Sequence, residues 1–146
     1  MNIDDTRSIV LLNLDAEDLL TICTIDKLSY KICSNKQFQT KWFNYNDIEI
    51  YEIDDMEEFI DALNTLIKID KVLDDINQDK VYQSAYTNGN IVKKVEINKE
   101  FNHWRVKHTT PFPYGKDITK TECIRDIKKL RRLLFNVINF EYTGYF

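Results

Sequence analysis

Between Leu11 and Phe43 apolar residues recur at helical spacing, interrupted by short polar steps. Asp15 stands where a helix N-cap belongs, and Glu17 and Asp18 suit the positive end that follows. Leu19, Leu20, Ile22 and Cys23 then form one stripe, which predicts a helix from Ala16 to about Ile25. After "TIDKL" a second short helix carries Leu28, Ile32 and Cys33; "SNKQ" caps a third that presents Phe38, Trp42 and Phe43. Each is too short to be stable alone in water, so the three must pack on one another or on a partner.

The period changes at Asp47. "DIEIYEI" alternates Ile48 and Ile50 against Glu49, Tyr51 and Ile53, which predicts a strand. Asp54 or Asp55 then opens a helix with Met56, Phe59, Ile60, Leu63, Leu66 and Ile67 on one face, continued directly or by a second piece through Val72, Leu73 and Ile76. Two strand-like runs flank Asn88-Gly89, a dipeptide suited to a two-residue hairpin turn because it accepts positive φ. "HWRVKHT" predicts a third strand, and "PFPYGKD" a rigid loop. A final helix is expected to open at Asp117 or Thr119 and run through Cys123, Ile124, Ile127, Leu130, Leu134 and Val137. The closing "INFEYTGYF" alternates like an edge strand. The fold class predicted is α+β: a short three-helix module in residues 1–46, then in residues 47–146 a small antiparallel sheet packed with two main helices.

A chain of 146 residues with 43% hydrophobic and 30% charged residues has a folded, globular composition. Its formal net charge of −4 creates no general field for nucleic acid or anionic lipid. No apolar run approaches the roughly 18 residues of a membrane span, and "NIDDTR" after Met1 is no signal peptide. The three cysteines, Cys23, Cys33 and Cys123, are odd in number and form no CxxC pair. They are expected to be free thiols, two of them serving as small core hydrophobes, in a reducing, intracellular compartment.

Candidate chemistry is sparse. His103 and His108 lie in or beside the third strand, five residues apart and so on opposite faces, and show no ligand spacing with the cysteines. The acidic "EIDDMEE" is explained by a strand-to-helix junction, its carboxylates complementing a helix N-terminus. Gly89, Gly115 and Gly144 are isolated, so there is no phosphate loop. No catalytic residue, metal or cofactor is called for, and an enzyme is the least favoured class. A basic run places Arg125, Lys128 and Arg132 along one side of the last helix with Lys129 nearby, either a solvated face or a site for phosphates or an acidic partner. The aromatics Phe112, Tyr114, Tyr142, Tyr145 and Phe146 would be recognition anchors if exposed.

Residues 11–43 resemble the F-box, a three-helix module that docks on the Skp-type adaptor of cullin ubiquitin ligases. Leu11, Leu14, Asp15, Asp18, Leu19 and Leu20 match the first half of that pattern, Ile25 and Lys27 the approach to its second helix, Ile32 an apolar position within it, and Phe38 its ending. The family's opening L-P-x-E is replaced by Asn2-Ile3-Asp4-Asp5; Ser29 stands where Trp or Phe is usual, and Gln39 at the terminal Trp position. The version here is similar to the degenerate F-box-like starts of giant DNA virus proteins, and the abundance of Ile, Asn, Lys, Asp and Tyr agrees with an AT-rich source.

The resemblance implies a non-enzymatic adaptor acting in the host cytoplasm, virus factory or nucleus. Leu11, Leu14, Leu19, Leu20, Leu28, Ile32 and Phe38 would dock the Skp-like subunit, and residues 47–146 would recruit a target. The alternative is a viral structural or virus-factory protein that forms a homo-oligomer or binds nucleic acid, the latter disfavoured by the acidic total.

Overall fold

The structure, a computed structural model, describes residues 3–46, 48, 53–112 and 115–142. The protein is α+β, with six helices and one four-stranded antiparallel sheet among the described residues. It divides into two compact units, Met1–Ile67 and Lys68–Phe146. No helix among the described residues is long and apolar enough to cross a membrane.

The first unit opens with a helix that the sequence pattern does not announce, α1 (Ile3–Leu12), followed by α2 (Ala16–Ile25), α3 (Lys27–Cys33) and α4 (Lys36–Tyr45). The continuous apolar run from Ile9 to Leu12 carries no period, so α1 is decided by where Leu11 is buried rather than by pattern. The three expected helices form, the first over its predicted span and the others around the residues expected in them, because their caps are local. Asp15 accepts from the Asp18 N–H, Asp26 from Ser29, and Asn35 from Gln37 and Phe38. The core gathers Leu11, Leu19, Phe38 and the T-shaped rings of Trp42, Phe43 and Phe59, the last from α5 (Met56–Asn77). The strand expected over "DIEIYEI" lies outside the described residues, apart from Ile48 and Ile53.

One reading is corrected in this unit. Cys23 and Cys33 are not free thiols: both are fully buried and joined in a disulfide, with Cα atoms 6.1 Å apart. The helix–turn–helix at Asp26 folds them onto each other, a long-range effect that linear spacing does not encode. Cys123 alone is free, and it is exposed.

The second region of α5 needs no break. Asp55 caps its start, accepting from the Glu58 N–H, while Glu58 reaches back to the Asp54 N–H. Its end is a Schellman turn: Asp79 takes φ +63°, the Asp79 N–H donates to Ile76 and the Lys80 N–H to Asp75.

In the second unit, β1 (Tyr82–Asn88), β2 (Ile91–Lys99), β3 (Trp104–Thr110) and β4 (Ile118–Ile124) pair in sequence order. The first hairpin is displaced by one residue from the expected turn. Asn88 pairs with Ile91, so the loop is Gly89-Asn90, and Gly89 supplies the positive φ of +67°. A positive φ at the first loop position only is the pattern of a type II′ turn.

The expected start of the last helix is also overturned. Residues 118–124 form β4, paired with β3 from Thr110↔Ile118 to Trp104↔Ile124, and the helix α6 (Ile127–Asn139) begins after the cap Asp126. Ile118, Thr119 and Thr121 are β-branched, and an available β3 edge outweighs a helical reading of the Cys123–Ile124 pair. Tyr86, Val95, Ile97, Trp104, Val106 and Ile124 share one face of the sheet and are buried; α6 packs there through Leu130, Leu134 and Val137. The closing strand expected over "INFEYTGYF" does not form at its start, where Ile138 and Asn139 belong to α6. Among the described residues the chain end meets β1 through the isolated Tyr86↔Glu141 bridge and the Tyr142 N–H donating to the Ala85 carbonyl. Residues 143–146 lie outside the described ones.

Candidate functional site

The seven apolar residues expected to dock a partner separate into two groups. Leu11, Leu19 and Phe38 are buried, and Leu14 and Leu20 half-buried. Of these five, Phe38 lines a surface groove. Ile32 is half-buried and Leu28 is 50% exposed, and both line the same groove as Phe38.

That groove of about 510 Å³ is built by helical spacing on three helices. Ser8, Ile9 and Leu12 come from α1, Leu28, Lys31 and Ile32 from α3, and Phe38 and Lys41 from α4. Ile9, like Leu28, is 50% exposed, which is costly for apolar side chains left in water on the same concave surface. Ile9, Leu12, Lys31 and Lys41 are the residues that sequence reasoning missed. The signal was present in the "IVLL" run, but without α1 as a helix nothing set Ile9 and Leu12 on one side.

The electrostatics of the groove oppose those of its surroundings. Residues 1–67 hold five Lys or Arg against fourteen Asp or Glu, whereas residues 68–146 hold fifteen against ten. Yet the groove lining contains Lys31 and Lys41 and no carboxylate. An apolar floor with basic sides suits an apolar segment that also carries acidic residues.

Polar bonds, part-buried except at Gln39, tie together the helices that carry the groove. Asp26 ends α2 and caps α3, accepting from the Ser29 hydroxyl and from Arg7 of α1. The Ser29 bond draws the Asp26 carboxyl below its ordinary pKa, and the Arg7 charge adds to this against a desolvation that opposes it. Ser29 is therefore a buried polar contact rather than a vacant aromatic position. Gln39, also buried, donates to the Cys33 carbonyl at 2.8 Å, and the Trp42 indole donates to the Leu14 carbonyl at 3.1 Å. These bonds satisfy a carbonyl at the end of α3 and one in the α1–α2 turn, and hold α4 against both.

The expected basic side of the last helix is not one stripe. Arg125 precedes the cap Asp126, and Lys129 pairs with Glu122 at 3.6 Å. Lys128 and Arg132 remain exposed one turn apart on α6. Cys123 and His108 lie on opposite faces of the sheet, and His108 meets Glu122 at 3.2 Å. His103 sits in the β2–β3 turn against Glu100. Phe112 is exposed and Tyr142 half-buried, while Tyr114, Tyr145 and Phe146 lie outside the described residues. No group of acidic, histidine and cysteine side chains among the described residues could hold a metal ion.

Comparison with models of known protein families, with curated proteins and with solved structures finds no match to this chain.

Proposed function

We propose that this protein is a non-enzymatic adaptor whose N-terminal helices dock a Skp-type subunit of a cullin ubiquitin ligase, the C-terminal sheet and α6 recruiting a target. The observation that carries this reading is the apolar groove in which Ile32 and Phe38, two residues of the F-box-like pattern, and Leu28, expected to dock the same partner, line one surface with Ile9, Leu12, Lys31 and Lys41. Affinity at such a site comes from a few apolar anchors, and the lysines select an acidic partner. The reading places the protein inside the host cell. There the Cys23–Cys33 disulfide is shielded from thiols by full burial of both residues.

The test is co-elution of the purified chain with a Skp-type adaptor. Leu19 is a core residue and unsuitable for it, so the informative variants are Leu28→Asp and Lys31→Glu, both at exposed positions. A complex formed at micromolar concentrations and lost in both variants supports the reading. Absence of any complex at those concentrations refutes it.

A further inference from the structure

The two edges of the sheet are treated differently. On the β1 side the Thr87 N–H donates to the Phe140 carbonyl and the Tyr142 N–H to the Ala85 carbonyl, so the chain end covers that edge. On the other side β4 borders no described strand. It runs seven residues in unbroken register with β3, with no proline and no bulge, and Ile118 to Thr121 are all exposed. Alternate residues of such a strand direct N–H and C=O groups outward, a template for a further strand.

The residues on this edge are self-complementary. Read from both ends, Ile118-Thr119-Lys120-Thr121-Glu122-Cys123-Ile124 matches isoleucine with isoleucine, threonine with cysteine and lysine with glutamate about a central Thr121. In an antiparallel pair with a second copy centred on Thr121, each Lys120 stands opposite the other copy's Glu122 on the same face. Lys120 is exposed and makes no ion pair among the described residues. Glu122 is held at the strand by His108 and Lys129, and a carboxylate has acceptor sites to spare. Moving the pairing two residues either way, which keeps the faces aligned, would set Lys120 against Lys120 or Glu122 against Glu122. Charge therefore selects one register.

We propose that the β4 edge is a homodimer interface, in which two copies pair antiparallel about Thr121 with reciprocal Lys120–Glu122 contacts to make a continuous eight-stranded sheet. Main-chain hydrogen bonds supply affinity and the two charge pairs supply specificity. The dimer uses no groove residue, so it stands or falls independently of the adaptor reading.

Sedimentation velocity across a concentration series reads the association. The wild type is expected to be a concentration-dependent dimer, and Lys120→Glu to weaken it by roughly tenfold or more, since two attractive pairs become repulsive. Mixing Lys120→Glu chains with Glu122→Lys chains should give a heterodimer tighter than either homodimer. Should Glu122→Lys fail to fold, Thr119→Cys tests the register directly, because it places a thiol opposite Cys123 of the second copy within disulfide reach. Diamide, accepting the two protons and two electrons, should then cross-link Thr119→Cys but not the exposed control Gln83→Cys. A wild type that stays monomeric, a dimer indifferent to Lys120→Glu, or a Thr119→Cys chain that cross-links no faster than Gln83→Cys overturns the proposal.

Discussion

The Ser29 hydroxyl lies 2.6 Å from the Asp26 carboxylate, and Arg7 of α1 grips the same group. One residue thus ends α2 through its backbone N–H, which donates to the Ile22 carbonyl, and through its side chain starts α3 and anchors α1. That is why a residue with no apolar signal ties together the helices that carry the groove. The Asp26 pKa is lowered in the folded protein, so its contribution is complete well above 3.8 and is lost as the pH falls below that value through the lowered one. Urea titrations of wild type and Asp26→Asn should differ at neutral pH, with the variant less stable. The gap should narrow in strong acid, and an unchanged gap there would contradict the assignment.

Filling the Ser29 position with an aromatic should be harmful. The residue is 1% exposed, and a phenyl ring would both displace the Asp26 bond and overpack the helix junction. Overpacking costs about 1–3 kcal/mol, so Ser29→Phe should lower the urea midpoint clearly, whereas Ser29→Ala should lose less.

The Cys23–Cys33 bond closes a loop of ten residues. Chain-entropy reasoning gives it about 3 kcal/mol. Denaturation with and without a phosphine reductant measures that difference directly. Alkylation of the unfolded, unreduced chain should label Cys123 alone, and all three cysteines after reduction.

Tyr82 and Tyr86 are both shifted upward, chiefly by burial, with Glu141 adding to the first and Glu122 to the second. Below 10.0 both phenols are neutral in either state and nothing is lost. As pH rises past 10.0 the unfolded chain ionises first, so stability should fall. Unfolding curves on the alkaline side should show this slope, and it should flatten in the Tyr82→Phe/Tyr86→Phe double variant.

At the β1–β2 turn a side chain added to Gly89 would meet nothing within 4 Å, yet its φ is +67°. The cost of Gly89→Val is therefore one of backbone conformation, about 1–2 kcal/mol. Gly89→Ala, which adds only a Cβ to open space, should lose a similar amount; an Ala variant as stable as the wild type would contradict the assignment.

What the residues determined alone were the features settled within a few positions. The Asp15 and Asn35 caps, the 22-residue stripe of α5 and a hairpin near Gly89 are set by local hydrogen bonds, spacing and allowed φ. Four other features needed partners distant in sequence. Residues 118–124 became β4 because β3 offered an edge. Ile9 and Leu12 joined Leu28 because α1 crossed to α3 and α4. Cys23 met Cys33 across a turn held by Asp26. Leu19 and Leu28, alike in sequence, went respectively to the core and to the surface. Periodicity says that a face will be buried; only the packed structure decides against what, and which apolar residues are left for a partner.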